Sequence, residues 1–187
     1  MKNVNNSIQS FQNDLKILKP NEIFRKYIVD EKCYILNETK QMQLKSSICD
    51  KFHIDYNNVI IVGSGKLGFS IKPNKRYVEF GEDSDIDIAI ISPKLFEEIW
   101  DEVTLYIENN ISYPKYPKFC EKLSQNGWIR PDYLPQIKIK NDWFDYFRLL
   151  TNSKKFSDYN LTAGLYYNYK FLENYQLKCI KQCKENL

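Results

Sequence analysis

Two stretches of the chain pair residue types suited to phosphate and metal chemistry. Val59-Ile60-Ile61-Val62 has the character of a short, fully buried strand, and it ends at Gly63-Ser64-Gly65-Lys66-Leu67-Gly68. A strand that runs into a glycine-rich turn and then a helix presents backbone N–H groups at its carboxyl end, where anions are favoured. Farther on, Ser84-Asp85-Ile86-Asp87-Ile88-Ala89-Ile90-Ile91 alternates polar or small residues with isoleucines. That spacing predicts a strand with one apolar face against the core and with Asp85 and Asp87 together on the other, about 6.5 to 7 Å apart along the backbone. Two carboxylates so placed repel each other unless a cation lies between them, and they suit a divalent metal ion. Either motif alone is weak: Asp-x-Asp also describes a solvated strand edge, and Gly-x-Gly a tight strand-to-helix connection.

The glycine turn does not fit a Walker A loop, because Lys66 is followed by Leu67 instead of Ser or Thr. Gly63, Gly65 and Gly68 do satisfy the Gly-x-Gly-x-x-Gly count of a dinucleotide fold. That rival wants a single acidic residue about 20 positions on, at the tip of a second strand, where this chain has two carboxylates at a strand's start.

Taken together, strand, Gly63-Ser64, helix, and then Ser84-Asp85-Ile86-Asp87 on a further strand resemble the DNA polymerase β-type nucleotidyltransferase superfamily. The resemblance covers about a fifth of the chain. It implies an α+β fold, a small mixed sheet flanked by helices, of the minimal bacterial kind. It also implies that Gly63, Ser64 and Lys66 contact the phosphates of a nucleoside triphosphate such as ATP. Asp85 and Asp87 would be the catalytic residues and would hold Mg²⁺, two ions in the usual arrangement. The reaction implied is transfer of a nucleoside monophosphate to a hydroxyl acceptor on a nucleotide, an RNA end or a protein, in a setting such as antiphage defence or a toxin–antitoxin pair. A catalytically silent nucleotide sensor or antitoxin, with a partner protein or a second copy of itself, is the alternative. The chain departs from the family in two respects. The interval from Ser64 to Asp85 is long, which sets Lys72, Lys75 and Arg76 in an insertion beside the phosphates. The family's third carboxylate, on a later strand, has no evident counterpart, since the segment Gln136–Lys140 carries lysines and Asp132, Asp142 and Asp145 only flank it.

The elements that must position these residues follow from periodicity. Ile8, Phe11, Leu15 and Leu18 recur at helical spacing up to Pro20, Asn21 is a candidate cap for a helix through Ile23, Phe24 and Tyr27, and a third helix is predicted over Glu38–Phe52. Ser92 and Pro93 open a helix to about Glu108, and a shorter one is predicted over Lys118–Ser124. Gln136–Lys140 alternates as a third strand, and two helices follow, Asp142 to about Leu150 and Ala163 to about Lys184. The aromatic residues of the last, Tyr166, Tyr167, Tyr169, Phe171 and Tyr175, serve as core or as a partner surface. No repeat or linker divides the 187 residues, so one domain is expected, with amino-terminal helices to about residue 54 and carboxyl-terminal helices from about 141.

Composition narrows the function classes. Hydrophobic residues make up 43% and aromatics 15%, enough to form a packed core. The net charge of +3 excludes a polycation that grips nucleic acid through its field alone, and leaves local patches such as Lys138 with Lys140. A single histidine, His53, argues against His-rich metal sites and Ser-His-Asp chemistry, and a surface or half-buried place is expected for it. Cys33, Cys49, Cys120, Cys179 and Cys183 form no C-x-x-C pair, which argues against a disulfide framework or zinc ribbon. Neither a secretory leader nor a bilayer-spanning stretch is evident, so a cytoplasmic protein with no membrane association is expected.

Overall fold

The computed structural model describes residues 3–109 and 112–187. Helix α1 (Val4–Ile17) is capped by Asn3, whose side chain accepts the Asn5 N–H at 3.0 Å, and it buries Phe11 and Leu15. Helix α2 (Pro20–Ile23) passes straight into a π-helical turn over Phe24–Asp30. Pro20 is its first residue and Lys19 its cap, with the Glu22 carboxylate accepting the Lys19 N–H at 2.7 Å, so Asn21 lies inside the helix instead of capping it. The reason is that a proline's fixed φ and missing N–H suit the first helical position. Helix α3 (Glu38–Phe52) starts at Asn37, which accepts the Lys40 N–H at 2.8 Å, and closes on His53 in the left-handed conformation. His53 is exposed, as expected.

Strand β1 (Val59–Val62) leads into the one-turn helix α4 (Gly63–Leu67) and a hairpin-like loop, and β2 (Ile86–Ile91) follows. Ser92 caps α5 (Pro93–Asn109) by accepting the Leu95 N–H at 3.2 Å. Helix α6 (Tyr116–Asn126), strand β3 (Trp128–Ile129), helix α7 (Lys138–Asn152), strand β4 (Leu161–Tyr166) and helix α8 (Tyr169–Lys184) complete the chain. The order across the sheet is β1-β2-β4-β3, with β2 and β4 parallel and both outer pairs antiparallel. The architecture is therefore α+β, a small mixed sheet flanked by helices. Because β1 and β2 are antiparallel neighbours, the glycine turn does not open the parallel βαβ unit of a dinucleotide fold.

Two expectations near the carboxyl end are corrected. Gln136–Lys140 is not a strand: helix α7 begins at Lys138. Ile139, Trp143 and Phe147 follow one another at helical spacing and pack in one cluster, and this periodicity outweighs the five-residue alternation at its start. The predicted helix from Ala163 is divided in two. Residues Leu161–Tyr166 form β4, and the helix starts only at Tyr169, where Asn168 caps it by accepting the Phe171 N–H at 3.2 Å. The aromatic stripe is divided accordingly, with Tyr166 buried on the strand and Phe171 and Tyr175 packed against the core.

Both faces of the sheet are covered. Val59, Ile61, Ile86, Ile88, Ile90, Leu161 and Leu165 pack on one side against residues of α3, α5, α6 and α7. Val62, Ala89, Ile91 and Tyr166 pack on the other against α1, α2 with its π-helical turn, and α8. The carboxylate-bearing face of β2 is thus buried beyond Asp87, where a single apolar face was expected. All five cysteines are free thiols. Among the described residues, no helix is long and apolar enough to cross a membrane.

Candidate active site

Three pieces of chain meet at one end of the sheet. The carboxyl end of β1 lies beside the start of β2, with Val62 opposite Asp87, and the parallel strand β4 sets Thr162 opposite Asp87 on the other side. Asp87, Thr162, Gly164 and Tyr166 project from the same face, since alternate residues of a strand share a side. Asp85 immediately precedes β2, next to the point where the Asn160 carbonyl accepts the Ile86 N–H at 2.8 Å. It is exposed, and its carboxylate has no partner among the described residues.

Gly63 takes φ +69°, and a Cβ added there would come within 2.6 Å of Asp87 Oδ2. The turn therefore needs glycine for two reasons: the left-handed backbone, and the carboxylate that fills the space a side chain would take. Gly63 and Asp87, distant in sequence, are in this way joined into one site. Ser64 stands half-buried at the start of α4, its hydroxyl without a hydrogen-bond partner among the described residues. Gly68 ends the turn at φ +87° with the Tyr34 ring packed against it.

Lys66 goes elsewhere. It is 5% exposed, its ammonium donates to the Glu31 carbonyl, and it lines a cavity of about 710 Å³ bounded by Val29–Cys33, Leu36–Thr39, Gln41 and Tyr56, among which neither aspartate figures. Burial pushes its pKa down, opposed by the nearby Cys33, Glu31 and Asp30. The segment after the π-helical turn locks α4 from that side, with the Tyr34 and Ile35 N–H groups donating to the carbonyls of Lys66 and Gly65 at 2.9 and 3.2 Å.

Lys72 is the cation that does reach the carboxylate of Asp87. Its Nζ lies 3.4 Å from Asp87 Oδ2, and the Thr162 hydroxyl donates to Oδ1 at 3.4 Å. The insertion that carries it is tied down. The Ser70 carbonyl accepts the Tyr77 N–H at 2.8 Å, the Ser70 N–H donates to the Val78 carbonyl at 2.9 Å, and Arg76 donates to the Gln182 carbonyl of α8 at 3.2 Å. Lys75 is exposed on the turn.

A wall of aromatic rings borders the site along the same face. Trp128 stacks on Tyr166 at 5.7 Å with the rings 3° from parallel, meets Tyr175 at 5.5 Å, and overlies Gly164. Burial pushes the phenol groups of Tyr166 and Tyr175 up, the first helped by Tyr175, Asp87 and Cys179 and the second, raised to about 12, by Cys179 and Asp87, so both phenols are neutral at ordinary pH.

None of the flanking acids completes the carboxylate set. Asp132 forms a bidentate pair with Arg130, at 3.0 and 2.9 Å. Asp142 and Asp145 belong to α7, which packs against the opposite face of the sheet, and Asp145 pairs with Arg148 at 2.7 Å. Among the described residues, no group of three or more His, Cys, Asp or Glu side chains is placed to hold a metal ion. The position beside Asp87 on the neighbouring strand belongs to Thr162, which the sequence concealed because a helix was read from the next residue, Ala163, onward. Gly164, an awkward residue for a helix's first turns, and Asn168, a strong cap just beyond, were the signals for a strand there. No protein-family model, curated protein or solved structure matches this chain.

Proposed function

We propose that this protein binds a nucleoside triphosphate with a divalent cation at the Gly63–Asp87 junction and transfers its nucleoside monophosphate to a hydroxyl acceptor. The observation that carries this reading is the contact between a glycine turn and a second-strand carboxylate: Gly63 is held at positive φ within a side chain's width of Asp87. A turn with a half-buried, uncommitted Ser64 hydroxyl, held against the Asp87 carboxylate through Gly63, with Asp85 two residues before Asp87 in the chain, suits a polyphosphate brought in with a metal ion better than either ligand alone. Asp85 and Asp87 would hold the cation, which supplies neutralisation of the phosphate charge. Ser64 and the backbone of the turn orient the phosphates. The acceptor hydroxyl gives up its proton to water as its oxygen forms a bond to the α-phosphorus, the bond to the bridging oxygen breaks and pyrophosphate leaves.

Thr162 favours a second reading, a sensor that holds the triphosphate without turnover, because a neutral hydroxyl sits where the superfamily resemblance implies an acid. Incubation with each labelled nucleoside triphosphate, Mg²⁺ and a panel of nucleotide, RNA and protein acceptors separates the two. The expected result is pyrophosphate release that disappears in Asp85→Ala and Asp87→Ala. Tight binding with no release under any acceptor would establish the sensor instead.

A further inference from the structure

Both oxygens of Asp87 already face donors from the protein itself, Thr162 at Oδ1 and Lys72 at Oδ2. Three carboxylates balancing two divalent ions leave one positive charge in excess. Two carboxylates, one ammonium and one divalent ion leave the same excess, whereas a second divalent ion would add two more positive charges beside Lys72. Like charges repel, so the residues present fit one divalent ion better than two. The backbone at Lys72 is also fixed. Its N–H donates to the buried Ser70 hydroxyl at 3.2 Å, its carbonyl accepts the Lys75 N–H at 3.0 Å, and Pro73 follows directly.

We propose that Lys72 stands in for a second divalent cation, so that the Asp85–Asp87 site takes one metal ion per chain. The inference rests on the nucleotidyltransferase reading of the site and adds to it how the missing acid is compensated. Lys72 is a positioning residue here: it neutralises Asp87 and limits what that carboxylate can coordinate.

The test is Mn²⁺ binding to the full chain, followed by the EPR signal of the free ion. Wild-type protein is expected to take up one Mn²⁺, lost in Asp87→Ala. Lys72→Ala, at a half-exposed side chain, is expected to bind that ion about fivefold more tightly, the worth of a partly exposed charge pair. Lys72→Arg, which keeps the charge, is expected to match wild type. The double variant Lys72→Ala with Thr162→Asp restores the three-acid set and is expected to bind two ions. Two ions in wild type, an unchanged affinity in Lys72→Ala, or a single ion in a folded double variant would each overturn the role of Lys72 while leaving the nucleotidyltransferase reading standing. If no form of the protein holds a Mn²⁺ that depends on Asp87, that reading falls, and this inference with it.

Discussion

At the scale of single residues, the site depends on one glycine more than on any other neutral side chain. Gly63→Ala places a Cβ 2.6 Å from Asp87 Oδ2 on a backbone at φ +69°. We expect it to lower the unfolding free energy by about 1 to 3 kcal/mol, measurable by denaturant titration, and to remove triphosphate binding in the same protein. A variant with unchanged stability would show that the turn is not held as described. The placement of Gly63 and Ser64 just after one strand, and of Asp85 and Asp87 at the start of another, was legible in the sequence because each depends on a local pattern: a strand's end, a turn's glycine, a strand's alternation. The fate of Lys66 was not. Its ammonium is drawn to the Glu31 carbonyl by the packing of a loop more than thirty positions away, and no local pattern records that. Lys72 stood out only as one member of a basic cluster, until the hairpin showed which of the three cations faces Asp87.

At the scale of elements, β4 decides what stands next to Asp87. Gly164→Ala distinguishes strand from helix by the sign of its effect. Were this segment helical, alanine would stabilise it by roughly 1 kcal/mol. On β4 a Cβ there would lie 2.3 Å from Trp128 Nε1, so we expect a lower melting temperature and a displaced β3 instead. Most helices were readable from periodicity and caps, α3 among them, because those signals are local. β4 was not, because six residues are too few for periodicity to decide, and the Gly164 and Asn168 signals were outweighed by the aromatic and leucine run that continues into α8; pairing with β2 settles it.

The docking of α1 on the π-helical turn is a second element-scale feature. Burial alone would raise the Asp14 carboxyl, but hydrogen bonds from Lys26 and from Tyr27 (2.7 Å) outweigh it and leave its pKa lowered. A carboxyl whose folded pKa is lowered contributes stability above its unfolded value, and that contribution is lost as pH falls through the folded one. Unfolding free energy should therefore drop below about pH 4, and the drop should be shallower in Asp14→Asn. Equal slopes in the two proteins would mean that the Asp14 pair does not anchor the helix.

For the whole molecule, the helices on both faces of the sheet leave one end where β1, β2 and β4 bring Gly63, Asp87 and Thr162 together. One side of that end is walled by the insertion, tied to α8 through Arg76, and the other by Trp128 and Tyr175. With a net charge of only +3, affinity for a polyanion has to come from this local arrangement and a bound cation instead of the overall field. The most direct measurement is equilibrium binding of labelled, non-hydrolysable analogues of the four nucleoside triphosphates, with Mg²⁺ or with EDTA, to wild-type protein and Asp87→Ala. Binding of at least one analogue that requires Mg²⁺ and is lost in Asp87→Ala is the predicted result. No binding of any analogue, or binding indifferent to both EDTA and the Asp87 substitution, would contradict it.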